Sequence, residues 1–201
     1  MSVPDLSARV TQLEAQLAAL SVERSHDRQT LERLRRTLDF DGATRAHSRL
    51  YFEAQLALAL HQARRDTYRG QAGSLTLGLV DVDCFKQIND SFGHQVGDVV
   101  LREVVSICRQ VLRRQTDTVA RYGGDEFALL LPQTTLPAAA AMAEHIRKEV
   151  AATTIERATL SVSIGLAAFP THAQTAKALL DTADRALYCA KRTRNAVACA
   201  D

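Results

Sequence analysis

Carboxylates stand in this chain at two places where an apolar run stops. Asp81 and Asp83 follow the run at residues 75–80, and Asp125 and Glu126 sit at the tip of Arg121-Tyr122-Gly123-Gly124-Asp125-Glu126-Phe127. Such oxygen ligands suit a hard divalent cation held against a phosphorylated ligand. Gly123 and Gly124 supply the backbone freedom and close approach that a hairpin apex needs. Taken alone, the same segment also reads as an ordinary solvated Gly-Asp turn. Asp81-Val82-Asp83 opens like a calcium loop, but Phe85, Lys86 and Phe92 stand where that loop asks for a ligand, a glycine and a bidentate glutamate.

Acids at such points work only on a rigid support. Residues 75–80 read as a buried strand, and the hairpin strands as 118–122 and 126–131. Helical spacing covers 47–67, 99–112, 136–150 and 175–192, and Lys86 falls in a loop. Leu160, Val162, Ile164 and Leu166 alternate with Ser161, Ser163 and Gly165, the period of a strand facing two environments, and a short last strand is expected at 196–200. This order predicts an α+β domain with a mainly antiparallel sheet covered by helices.

Ahead of it, Leu6, Val10, Leu13, Leu17, Leu20, Arg24, Asp27, Leu31, Leu34 and Leu38 alternate in steps of four and three. That is the seam of a coiled coil, and a seam this narrow wants a partner helix, with Arg24 and Asp27 fixing register. The other reading is one amphipathic helix folded back on its own domain. Residues 1–40 are thus expected to be a dimerising, signalling coiled-coil helix and 41–201 the catalytic domain.

The 201 residues suffice for one such domain and an appendage. A net charge of +2 with 24% charged residues gives no electrostatic footprint for nucleic acid or a membrane surface. Cys84, Cys108, Cys189 and Cys199 show no metal-binding spacing and read as reduced thiols. No apolar stretch approaches about 18 residues and no secretory signal is visible, so a cytoplasmic protein is expected.

The motifs occur together. Asp81-Val82-Asp83-Cys84-Phe85-Lys86-Gln87-Ile88-Asn89-Asp90 precedes Ser91-Phe92-Gly93-His94-Gln95-Val96-Gly97-Asp98, then Arg114-Gln115-Thr116-Asp117, the hairpin, and Ala183-Asp184-Arg185-Ala186-Leu187-Tyr188-Cys189-Ala190-Lys191. In this order and spacing, residues 41–201 resemble the bacterial diguanylate cyclases, named GGDEF domains after the hairpin. The resemblance implies a ferredoxin-like sheet of the nucleotidyl-cyclase and polymerase-palm type. It also implies condensation of two GTP into cyclic di-GMP and two pyrophosphates, with two Mg²⁺ (or Mn²⁺) per half-site.

By resemblance, Asp81, the Val82 carbonyl, Asp125 and Glu126 hold the metal, Asp125 doubles as a candidate general base, and Lys86 steadies transition-state charge. Asn89 and Asp98 match the residues that read the guanine edge, for which an amide and a carboxylate supply complementary donors and acceptors. Phe85 and His94 belong with the GTP-binding set, as do Gly123 and Gly124 at the α-phosphate and Lys191 and Arg194 at the outer phosphates. Arg114 and Asp117 match a product-inhibition site for cyclic di-GMP.

Three departures stand out. Relatives read Ala-Lys-x-x-Gly-Arg-Asn where this chain has Ala190-Lys191-Arg192-Thr193-Arg194-Asn195, one residue short and without the glycine. Relatives read Asp-x-Leu-Thr-Gly-Leu-x-Asn-Arg where this chain keeps only Asp41, Thr44 and Arg49, expected to lock the domain entrance without touching the metal site. His145 replaces an arginine of the inhibition site, leaving Arg147 as a substitute. One half-site binds one GTP, so a homodimer through residues 6–38 is expected, driven by a sensor domain outside this stretch. The competing reading is a catalytically silent module that binds cyclic di-GMP or GTP as a receptor.

Overall fold

A computed structural model describes residues 3–71 and 73–201. The chain divides into two compact units, the first ending at Leu38 and the second formed by Asp39–Asp201. Helix α1 (Val3–Asp39) makes up the first. Of its seam positions, Leu13, Leu17, Leu20 and Leu31 are exposed, and the side chains of Leu6, Val10 and Leu34 lie outside the described residues.

In the second unit, α2 (Arg49–Tyr68), β1 (Leu75–Val82), α3 (Phe85–Phe92) and α4 (His94–Val111) precede the hairpin of β2 (Thr118–Arg121) and β3 (Glu126–Pro132). Helix α5 (Leu136–Ala151), the small ladder of β4 (Thr154–Ile155) and β5 (Ala158–Thr159), β6 (Val162–Phe169), α6 (Ala176–Lys191) and β7 (Val197–Cys199) follow. The main sheet runs β2-β3-β1-β6-β7. All its pairings are antiparallel except β6 with β7.

Period-two alternation sends successive side chains to opposite faces, and here both faces are covered. Phe127, Leu129 and Leu131 pack toward Val104, Ile146 and their neighbours on α4 and α5. Ala128 and Leu130 face the other way, with Leu75, Leu77 and Leu79, toward Phe52 and Leu56 of α2 and Leu187 of α6. Strands β1 and β6 are buried throughout, which is why residues 75–80 read as an unbroken apolar run. Of the two environments expected for β6, neither is solvent. Helix α6 lies so close to β6 that a Cβ on Gly165 would stand 2.1 Å from the Leu187 amide nitrogen.

The largest difference from the sequence expectation lies at 81–98. Instead of a loop, α3 and α4 meet at Gly93, whose φ of 85° is open to glycine at little cost. Lys86 is therefore a helical residue, and α4 begins five residues before Val99. The β4–β5 ladder was not anticipated either, since two-residue strands carry no periodic signal.

At the entrance to this unit, Arg45 occupies a φ of 62°, the left-handed region, at the position where relatives carry glycine. Its bonds are those of its backbone: the amide donates to the Asp41 carbonyl at 2.9 Å, and the carbonyl accepts from the Arg109 guanidinium at 2.6 Å. Arg45→Gly is expected to raise stability by about 0.5–1 kcal/mol, the left-handed strain of a side chain less the extra unfolded-state freedom of glycine. An unchanged or lowered urea midpoint would contradict this.

Candidate active site

The ladder between β1 and β3 brings the two acidic segments together. Asp81 is paired with Glu126, and the Val82 amide donates to the Asp125 carbonyl at 3.2 Å. The turn closes through the Tyr122 and Gly123 amides, which both donate to the Glu126 carbonyl, at 2.8 and 3.2 Å. Neither Gly123 nor Gly124 has a positive φ, so backbone freedom is not what the hairpin takes from them. At Gly123 a Cβ would stand 2.8 Å from the Glu126 Oε2, so the missing side chain lets that carboxylate fold over the turn. At Gly124 the space is open, leaving the backbone approachable by a ligand.

Asp81 is buried and lies within reach of like charge. Burial pushes its carboxyl up, Asp125 and Glu126 push the same way, and only Lys191 opposes them. The Lys191 Nζ stands 2.7 Å from the Asp81 Oδ2. Burial pulls that ammonium down, yet the acids around it, Asp81 first, leave it raised overall. One contact thus favours the charged form of both partners, but at Asp81 it is outweighed by burial and two further carboxylates. Carboxylate oxygens, with no thiol or imidazole among them, fit a hard divalent cation, and the lysine ammonium stands in for positive charge on this set. Among the described residues no three acidic, histidine or cysteine side chains already form a cage.

Arg121, the first residue of the hairpin motif, fastens the turn. Its Nε and Nη2 donate to the Gly124 carbonyl at 3.1 and 2.7 Å, Nε also to that of Gly123 at 3.2 Å, and Nη1 reaches the Asp41 Oδ1 at 3.1 Å. The same Asp41 oxygen accepts from the Thr44 amide and hydroxyl at 2.8 and 2.6 Å. Burial works against the Asp41 charge, but these donors outweigh it and hold its carboxyl below the usual range. Asp41 and Thr44 therefore do bear on the acidic hairpin, contrary to the expectation that they stand clear of it. Local spacing cannot pair Asp41 with Arg121 across 80 residues.

Asp83 is a structural hub. Its carboxylate accepts from the Ser161 and Ser163 hydroxyls, both at 2.7 Å, and from the Asn195 amide at 2.8 Å. This ties the end of β1 to β6 and to the loop after α6. In that loop the missing glycine is replaced by two left-handed residues, Arg194 (φ 56°) and Asn195 (φ 44°). Arg147 grips Glu144 on its own helix with two bonds of 2.7 Å and reaches the Asn195 Oδ1 of this loop at 2.8 Å. Arg194 is exposed and, among the described residues, its side chain has no hydrogen bond or ion pair.

On α3, Lys86 is exposed. Asn89 turns toward α4: its Oδ1 is buried, lacks a partner, and lies where a Cβ on Gly97 would be. That places it beside the residue preceding Asp98, with the Phe85 ring packed against the same glycine. His94 and Asp98 are exposed at the start of α4. No hydrogen bond or ion pair among the described residues links Lys86, Asn89, His94 or Asp98 to the three acids. Arg114 and Asp117 lie at the far end of β2 from the hairpin tip. Both Asp117 carboxylate oxygens are buried and lack a side-chain partner among the described residues, and burial, against the pull of the Arg114 backbone and charge, leaves its carboxyl raised. A cavity of about 420 Å³ lined by Tyr51, Gln62, Asp66 and Thr118 includes none of the candidate site residues.

An antiparallel sheet with carboxylates at the open ends of two neighbouring strands, covered by helices on both faces, defines a domain of the nucleotidyl-cyclase and polymerase-palm type. The family model for the diguanylate cyclase GGDEF domain matches residues 38–196, and the chain belongs to the GGDEF family. Diguanylate cyclase TpbB of Pseudomonas aeruginosa is 37% identical over 193 residues, covering 94% of this chain and 41% of that protein. Diguanylate cyclase A of Treponema denticola is 41% identical over 129 residues, covering 62% of this chain and 34% of that protein. This chain therefore spans less than half the length of either relative. The coiled coil and GGDEF domain of DgcB from Caulobacter crescentus, crystallised in complex with c-di-GMP, matches with a TM-score of 0.83 at 34% identity, covering 94% of this chain and 99% of that one.

Arg121 holds the hairpin by charge-assisted bonds in a half-buried place. Arg121→Met is expected to cost about 1–3 kcal/mol in urea unfolding and to speed hydrogen exchange at the amides of 122–126. Unchanged exchange there would show that the turn does not depend on it.

Proposed function

We propose that this chain is a diguanylate cyclase that joins two GTP molecules into cyclic di-GMP and two pyrophosphates, acting as a homodimer. The observation that carries the reading is the convergence of Asp81, Asp125 and Glu126 at the ends of β1 and β3, with Lys191 against them. Membership of the GGDEF family supports the same conclusion. In each half-site a 3′-hydroxyl attacks the α-phosphate of the opposite nucleotide. Divalent cations, Mg²⁺ or Mn²⁺ and two per half-site, neutralise phosphate charge and polarise the α-phosphate when bound.

The chain's own residues orient and neutralise. Asp81, the Val82 carbonyl, Asp125 and Glu126 hold the cations. The backbone at Gly123 and Gly124 approaches the α-phosphate, and Lys86, Lys191 and Arg194 offer positive charge to the triphosphate. Asn89 and Asp98, flanked by Phe85 and His94, take the guanine and ribose, and the unpartnered Asn89 Oδ1 supports a ligand contact there. Asp125 is placed to take the hydroxyl proton. Arg114 and Asp117 form an inhibitory site for cyclic di-GMP, supported by two buried carboxylate oxygens that no side chain among the described residues pairs.

The two half-sites come together through α1, whose exposed Leu13, Leu17, Leu20 and Leu31 suit a partner helix. A sensor domain or partner outside this stretch would supply the signal. No described helix is long and apolar enough to cross a membrane, and we place the activity in the cytoplasm, where GTP is supplied. The silent-receptor reading keeps one specific observation, the shortened loop in which the exposed Arg194 side chain has no hydrogen bond or ion pair among the described residues.

Incubation with GTP and Mg²⁺, with products resolved by mass, is expected to give cyclic di-GMP; ligand binding without product would favour the receptor. Asp125→Asn is expected to abolish product while the dimer persists in sedimentation, and preserved turnover would remove Asp125 from the metal site. Deletion of residues 1–38 is expected to lower specific activity progressively on dilution, and equal turnover by both forms across a dilution series would exclude α1 as the dimerising element.

A further inference from the structure

Lys191 is the last residue of α6, and its ammonium rests on Asp81 at 2.7 Å. The two ends of this bridge differ in freedom. The Asp81 side chain is 12% exposed and fixed in the strand ladder, and the Lys191 side chain is 39% exposed on a flexible four-carbon stem. Asp81 lies in the field of Asp125 and Glu126, so it needs positive charge whether or not a ligand is present. A divalent cation on the same oxygen would put two positive charges within about 4 Å of each other in a half-buried place, so the lysine and the cation compete.

A nucleotide changes the balance, because its phosphates offer the ammonium another partner and bring negative charge of their own to the cation. We propose that Lys191 is a placeholder cation: it neutralises Asp81 when the nucleotide site is empty and moves to the phosphates when GTP arrives, making divalent-cation and GTP binding mutually dependent. The proposal rests on the metal-site reading given above. It assigns Lys191 two successive partners, carboxylate and then phosphate, where the family resemblance implies only the second. By linkage the dependence runs both ways: whatever factor GTP adds to cation affinity, the cation adds to GTP affinity. In the free protein the lysine keeps the acidic pocket from loading with cations that carry no substrate.

The test is Mn²⁺ binding to the full chain, followed by the electron paramagnetic resonance of free Mn²⁺, with and without a GTP analogue bearing a methylene bridge between its α- and β-phosphates. Wild-type protein is expected to bind Mn²⁺ at least tenfold more tightly with the analogue than without it. Lys191→Met is expected to bind Mn²⁺ alone at least tenfold more tightly than wild type, and to gain less from the analogue. Lys191→Arg, which keeps a cation at the position, should stay near wild type. Arg185→Met removes the same charge from the same helix at a side chain bonded to Thr182, and should change nucleotide-free affinity less than twofold.

Equal nucleotide-free affinity in wild type and Lys191→Met, with binding lost in Asp81→Asn, would overturn the placeholder and leave the metal site standing. An equal gain in Arg185→Met would overturn it as well, by assigning the effect to net charge. Absence of Mn²⁺ binding from every form even with the analogue would remove the metal site itself, and the placeholder with it. Thermal unfolding of each variant, within a few degrees of wild type, reports that the fold is retained.

Discussion

Negative charge held half-buried at the end of two central strands is the constraint on which the rest of this domain depends. Asp81 cannot retreat into solvent, because β1 is hydrogen-bonded on both sides and buried along its length. Asp125 and Glu126 cannot move away from it, because the same ladder fixes the hairpin against β1. Two or three carboxylates so arranged repel one another, and a nearby cation relieves the repulsion. Lys191 meets that need within the chain, and in the proposed function a phosphate-bound divalent cation would meet it more fully.

Much of the remaining architecture reads as support for that arrangement. Burial of both sheet faces makes the strands rigid, so the acids sit on a frame instead of a mobile loop. Arg121 fastens the turn by its carbonyls and ties it to Asp41 at the entrance to the domain. Asp83, two residues beyond the candidate metal ligand, spends its carboxylate on Ser161, Ser163 and the Asn195 amide. It thereby positions the loop that follows Lys191. Neighbouring acids in one short motif thus divide the work: Asp81 faces Lys191 and Asp83 holds the scaffold.

How far these features could be read from the sequence depends on the range of the interaction behind each. Strands β1 and β3 and helices α2, α5 and α6 were legible because their apolar periodicity reflects burial. The acidic hairpin was legible because its motif is contiguous. Helix α3 was not, since its single buried residue, Ile88, leaves almost no periodic trace. The bond from Arg121 to Asp41 and the hub at Asp83 join residues 78 and more positions apart, and nothing local announces such a pair. Gly123 and Gly124 are singled out by the sequence for backbone freedom and close approach; neither has a positive φ, and the structure shows one allowing close approach of a carboxylate and the other leaving open space.

The central claim is that Asp81 and the hairpin acids form a cation site that Lys191 fills until substrate arrives. Anomalous diffraction from crystals grown with Mn²⁺ and the methylene-bridged GTP analogue tests it most directly. The expected map has its strongest anomalous peak among Asp81, Asp125 and the phosphates, with the Lys191 ammonium moved from the Asp81 Oδ2 to a phosphate oxygen. A map with Lys191 still bonded to Asp81 and no Mn²⁺ peak between those acids and the nucleotide would contradict it.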